Sequence, residues 1–260
     1  MRQHLAALAI LLSVVPAVHA QFVPFYVLGP RPDATEVTAA GALIAGPKTD
    51  GSDRYRALVV PSIDARFANG WFAGVINGVG YNFSTDPSWD FGLRLGVQLP
   101  RDDQDAIAGL DDIPLRVTTG AFGNIDLVPN KLQLRSALRY GSGLDRDGLT
   151  VDVGLEYRFD PFADLFWSFG GSVQWANAAH LQSFFGVSPV QSASFGLPAF
   201  EPGAGIREFR LELGAFYPID RQWSAFGAIS AIRFGSTIAD SPVIRDRTTG
   251  ELILGVLYRF

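Results

Sequence analysis

The sequence predicts an all-β protein, an antiparallel transmembrane β-barrel behind a cleaved signal peptide, on three observations. First, the closing residues Glu251 to Phe260 alternate. Leu252, Leu254, Val256, Tyr258 and Phe260 share one face of an extended strand, and Glu251, Ile253, Gly255, Leu257 and Arg259 share the other, because side chains alternate with period two. A row of large apolar groups ending in an aromatic residue suits a face that meets lipid. Second, Arg2 and His4 precede an apolar run from Leu5 to Val15, which Pro16 ends before Val18-His19-Ala20. That pattern is a secretory signal peptide over residues 1–20. The mature chain, 21–260, is then expected to form a single outer-membrane barrel domain. Third, most later segments alternate over roughly 9–13 residues, the length a tilted strand needs to cross the hydrocarbon layer. Strands of soluble sheets run nearer 5–6.

Along the mature chain, 21–36 carries three prolines, although Phe22 to Leu28 can be extended. Val37 to Ile44 is the first clear strand, and GPKTDGSD (46–53) has turn chemistry throughout. Tyr55 to Phe67 follows, with Pro61 suggesting a bulge or kink. Asn69-Gly70 signals a tight hairpin, from which Trp71 to Phe83 is read as one returning strand. Trp89 to Leu99 is the clearest case. Trp89, Phe91, Leu93, Leu95, Val97 and Leu99 oppose Asp90, Gly92, Arg94, Gly96 and Gln98.

An acidic loop at 100–114 has room for one helical turn. Leu115 to Leu127 and Lys131 to Tyr140 form a hairpin about Val128-Pro129-Asn130. Leu149 to Phe159, Leu165 to Trp175, Phe209 to Tyr217, Trp223 to Phe234 and the terminal strand complete the pattern, with a long loop over 178–205.

The apolar faces carry almost no charge. The opposite faces collect Asp90 and Arg94; Lys131, Arg135 and Arg139; Asp152, Glu156 and Arg158; and Glu208, Arg210 and Glu212. In a soluble sandwich these would be the solvated side. In a barrel they face a narrow lumen and must pair to offset desolvation. The count is about eleven strands, and a closed barrel of this kind takes an even number. The reading is therefore about twelve strands, with about ten as the alternative. Phe22 to Leu28, or a stretch within 178–205, supplies the missing one. If it is N-terminal, the loops at 100–114, 178–205 and 235–250 all face outward, and the 45–55 connection faces the periplasm.

Composition agrees. The chain has no cysteine, so disulfides play no part. Its 28 glycines, 20 Phe, 7 Tyr and 5 Trp supply crowded interiors and interfacial girdles. A net charge of -5 argues against a nucleic-acid partner.

Four pieces carry a family resemblance: GSDRYR (51–56) followed by Pro61; FFGVS (184–188) leading to Ser194 and GLPAF (196–200); YPIDRQW (217–223); and DSPVI (240–244). In that order the chain resembles the MipA/OmpV family. The resemblance implies localisation in the cell outer membrane. It also implies a scaffold role, with a lytic transglycosylase (a murein hydrolase) and a murein synthase as partners alongside outer-membrane lipid. The alternative is a small-solute channel or a surface-exposed adhesion or contact barrel.

No residue is assigned a partner-binding, catalytic, cofactor or metal role. After processing His180 is the only histidine, and its neighbours Ser183 and Ser188 offer the one local arrangement for nucleophilic catalysis. A lone loop histidine is more often structural, so a non-enzymatic protein without cofactors is expected. Asp102-Asp103 and Asp111-Asp112 read as solvated loop charge. GVINGVG (74–80) lies within an expected strand and is no phosphate cradle. In FFGVS, Phe184 and Phe185 are expected to fold the long loop onto the barrel mouth.

Overall fold

The computed structural model describes residues 31–101, 110–162 and 164–260. Phe22 to Leu28, Asp102-Asp103 and the expected signal peptide lie outside them. Among the described residues twelve antiparallel strands close into a barrel. They are β1 (Glu36–Pro47), β2 (Tyr55–Arg66), β3 (Trp71–Gly74), β4 (Gly78–Asn82), β5 (Trp89–Gln98), β6 (Arg116–Val128), β7 (Leu132–Ser142), β8 (Gly148–Phe162), β9 (Leu165–Ala176), β10 (Gly205–Pro218), β11 (Trp223–Phe234) and β12 (Thr248–Arg259). Two helices, α1 (Ala178–Phe185) and α2 (Pro189–Phe195), lie between β9 and β10. Closure is made by β12 against β1, with Leu43 opposite Leu254.

Strand β5 shows which way the faces point. Leu93 is 57% exposed and Leu95 51%, whereas Asp90 is 4% exposed and Gln98 9%. A soluble sheet would bury the leucines and solvate the aspartate. Here the apolar side is outermost and the polar side is enclosed, the arrangement of a barrel whose solvent is lipid.

The parity of the strands is restored where the sequence reading saw one strand. Trp71 to Phe83 folds back on itself, giving the short β3 and β4 with Trp71 opposite Tyr81 and Gly74 opposite Gly78. The missing strand does not come from 178–205, which is largely helical; Phe22 to Leu28 is outside the described residues. Asn77-Gly78 turns the hairpin, with Gly78 at φ 70°, a left-handed conformation that favours glycine.

Pro61 makes no bulge either. The β1–β2 register runs unbroken through Gly41 opposite Pro61. The carbonyl of Ile63 accepts from Val75 N, so odd-numbered residues of β2 direct their backbone groups away from β1. The ring nitrogen of Pro61 therefore lies on that outer edge and removes no bond from the β1–β2 ladder.

The two rims differ. Among the described residues, the rim that carries the start of β1 and the end of β12 has only short turns, around 67–70, 83–88, 129–131 and 219–222. Short turns belong on the periplasmic side and long loops outside. Aromatic rings gather near the short-turn rim: Trp71 packs on Tyr81 at 5.4 Å, Trp89 on Phe91 at 4.9 Å, and Tyr258 on both Trp223 and Phe260 at 4.9 Å. Phe260 is part of this girdle. The 45–55 connection is on the opposite, outer rim, correcting the expectation above. The extra hairpin at Trp71 to Phe83 comes after that connection, not before it. Asp50 there reaches Arg207, and the Gly51 carbonyl accepts from Arg245 N and Asp246 N.

Candidate functional site

Two places could carry function: the lumen and its outer mouth. In the lumen many of the charges expected to pair do so, although Lys131 lies exposed in the β6–β7 turn instead of facing the lumen. Arg135 meets Glu156 at 2.7 Å, and Arg158 meets the same carboxylate at 2.8 Å. Arg139 meets Asp152 at 3.3 Å, whose other oxygen accepts from Gln174 at 2.6 Å. Arg210 bridges Glu251 at 2.6 Å and Glu208 at 3.5 Å. Asp90 accepts from Asn124 at 2.6 Å. These bonds tie β5 to β6, β7 to β8 and β9, and β10 to β12. They make one wall of the lumen a polar lattice.

The outer mouth is filled by a small core of the soluble kind. From α1, Leu181 and Phe185 pack with Ala176, Ile232, Phe234, Ile238 and Ile244. Asn177 caps the helix by accepting from His180 N at 3.0 Å. Three loops then clamp its far end. The Arg101 guanidinium donates to the Phe184 carbonyl at 2.8 Å and lies 5.7 Å from its ring; burial lowers its pKa to about 10. The Ser241 hydroxyl donates to the Phe185 carbonyl at 2.6 Å. The Ser183 hydroxyl accepts from Leu144 N at 3.0 Å and donates to the Ala179 carbonyl.

A β-bulge at Ile206/Glu208 in β10 turns Arg207 inward beside Glu208, as bulges do when they re-aim a side chain. Arg207 is fully buried. It pairs with Asp50 at 2.5 Å and with Glu208, donates to Gln174 at 3.0 Å, and lies beneath the Phe185 ring. Nothing in the sequence marked Arg207, because a bulge shifts the alternation by which facing was read.

Most of the residues singled out in the long loops fall in this mouth. Phe184 and Phe185 fold the long loop onto it, as expected. The GSD turn is held by Arg54 N donating to Ser52 Oγ at 3.1 Å. Gln191 donates to Asp111. GVINGVG spans the β3–β4 turn rather than one strand. His180 does not meet Ser183 or Ser188. Its Nδ1 is 2.8 Å from Ser142 Oγ, and its ring stacks on Phe184 at 4.5 Å. Ser188 instead caps α2 in a capping box with Gln191. Burial, reinforced by Arg207 and Arg139, holds the His180 pKa well below 6.5. A neutral imidazole walled in by aromatic and loop groups can anchor a helix, and Ser142 beside it is itself buried.

The family model described as MltA-interacting protein MipA matches residues 39–260. The MltA-interacting proteins of Escherichia coli (strain K12) and Shigella flexneri are each 31% identical to the chain over 128 residues, 49% of this chain and 50% of theirs. The aligned stretch thus spans about half the length of these curated relatives. Among solved structures, the chain is similar to an outer membrane channel from Pseudomonas putida F1 (TM-score 0.46, 10% identity, 95% of this chain and 100% of that one). It is also similar to the KdgM porin (TM-score 0.43, 11% identity, 86% and 99%).

Proposed function

The chain belongs to the MltA-interacting protein MipA family of the outer membrane, and on that premise we propose that it is a non-enzymatic scaffold. In this reading its periplasmic rim holds a lytic transglycosylase and a murein synthase together. The carrying observation is the contrast between the two ends of the barrel. The outer mouth is occupied by the packed core around α1, which disfavours free passage of solutes. The periplasmic rim is a ring of short turns already fixed by their own hydrogen bonds.

The best example is the turn within YPIDRQW (217–223). The Asp220 carboxylate accepts from Gln222 N and Trp223 N, both at 2.7 Å, and these bonds lower its pKa. Asp86 accepts from Ser88 N at 2.8 Å in the same way, and its pKa is also lowered. Ile219, beside Asp220, stands exposed. A rigid turn with an exposed apolar residue binds a partner with little ordering entropy to lose.

The test is retention of a purified lytic transglycosylase on the detergent-solubilised barrel. Binding at low salt that weakens with Ile219→Ser supports the scaffold. Absence of binding at low salt, together with discrete conductance in planar bilayers, would favour the small-solute channel instead.

A further inference from the structure

The β3–β4 hairpin is too short to fill the wall it occupies. β3 pairs with β2 only from Asp64 to Arg66, and β4 pairs with β5 only from Gly92 to Leu95. Outward of those points, among the described residues, no strand pairs with β2 from Tyr55 to Ser62 on that side, or with β5 from Gly96 to Gln98. At the level of the hairpin, β2 and β5 are three inter-strand spacings apart, about 14 Å. An acyl chain is far narrower than that.

The hairpin tip is built to end at membrane depth. Asp64 accepts from Asn77 N at 3.4 Å and Asn77 Nδ2 at 3.3 Å, Ser62 donates to Asp64 at 2.8 Å, and Arg94 donates to the Asn77 carbonyl at 3.4 Å. The turn is thus satisfied from inside the barrel. Pro61, with no N–H, sits on the open edge of β2, and Val59 beside it is 70% exposed. Open backbone edges persist at membrane depth only where they line a cavity, which joins this notch to the lumen.

The lumen wall reached from the notch differs from the polar lattice opposite. Register puts Ile44 beside Leu58 and Ala42 beside Val60 on one side, and Ile44 beside Ile253 and Ala40 beside Leu257 on the other. Phe226 and Ala228 of β11 continue the same inner face. Leu58, Val60, Ile253, Leu257 and Phe226 are only partly buried, although they point inward. The mouth core involves α1, β9, β11 and the loop after β11; of this wall Ile44 is buried, and the rest keeps its partial exposure. An apolar inner surface meets the lipid-facing surface, through Val59 and Ile63, across this stretch of wall, incomplete among the described residues.

We infer that the notch between β2 and β5 is a lateral port, through which an acyl chain of a membrane lipid enters and lies against Leu58, Val60, Ile253 and Leu257. The occupant is an acyl chain because the wall is apolar, its entrance opens on hydrocarbon, and it is continuous with the lipid-facing surface.

The absence of cysteine from the chain makes single labels clean. In liposomes of phospholipid brominated on its acyl chains, a thiol-reactive fluorophore is placed on full-length Val60→Cys, on lipid-facing Leu254→Cys and on Gln133→Cys in the polar lattice. The port predicts quenching at position 60 within about twofold of position 254 and several-fold above position 133. Quenching at 60 no greater than at 133 would overturn it, as would quenching by aqueous iodide alone. Val60→Trp, which fills the wall instead of reporting on it, should lower quenching of a label at Leu58→Cys; unchanged quenching there also counts against the port.

Discussion

Leu181→Ala probes the mouth core where it is densest. Leu181 is fully buried among Phe185, Ile232, Phe234 and Ile238, and the surrounding strands are fixed by barrel ladders and cannot collapse into the space. Truncations of this kind cost about 2–5 kcal/mol, and a rigid surround places this one near 3 kcal/mol. The loss falls on the docking of α1, since the barrel ladders do not depend on it. At about 1.4 kcal/mol per decade, the open population of the mouth segment should rise roughly 100-fold. Amide hydrogen exchange reports local opening directly. The amides of Leu181 and Gly186, bonded to the Asn177 and Gln182 carbonyls, should lose about two decades of protection while those of β8 and β10 keep theirs. Unchanged protection in α1 would refute the view that this core holds the helix down. Equal loss in the strands would refute its independence from the barrel.

Three further outcomes follow from the same contacts. Arg210→Met should destabilise the barrel by about 3–5 kcal/mol in urea unfolding, because it leaves the enclosed Glu251 without the cation bonded to it and Glu208 with Arg207 alone; a shift under 1 kcal/mol would show the Glu251 carboxylate to be solvated. His180 is neutral when α1 is docked and free to protonate when it is released. The released state therefore binds more protons below pH 6.5, and docking weakens as pH falls below that value, by up to about tenfold per unit until the depressed pKa is reached. Exchange in α1 measured from pH 7.5 to 5.5, corrected for intrinsic rates, should show this trend, and His180→Asn should abolish it. Asp64→Ala leaves the Asn77 donors at the hairpin tip without their acceptor, at a cost of about 1–3 kcal/mol. Unfolding followed by the change in gel mobility should register that loss, and an unshifted midpoint would mean that water or lipid headgroups satisfy the tip.

How far the sequence could be read depended on whether a feature was carried by period two. Trp89 to Leu99 and Leu149 to Phe159 have side chains that alternate without interruption, and both their strands and their lumen charges were legible. The Trp71 to Phe83 hairpin was not. Its turn residues are apolar Val75 and Ile76, so the run looks continuous. The signal that could have found it is Asn77-Gly78, the same dipeptide already recognised as a turn at Asn69-Gly70. Pro61 reads in the sequence as a bulge or kink; the bulge is absent from the register, and only the pairing of its neighbours shows that it stands on an open edge. Arg207 and the Ser142 partner of His180 depend on a bulge and on a loop folding across the mouth, contacts between residues far apart in the chain. Local periodicity carries no information about these.

The central claim is that the uncharged faces of the strands touch lipid, and β5 tests it most directly. Single cysteines placed in turn from Phe91 to Val97, each carrying the same fluorophore, would be read in bilayers of acyl-brominated phospholipid. Strong quenching at Phe91, Leu93, Leu95 and Val97 with weak quenching at Gly92, Arg94 and Gly96 is the predicted result. Uniform protection along the strand, in a protein that stays dissolved and folded without detergent, would contradict it.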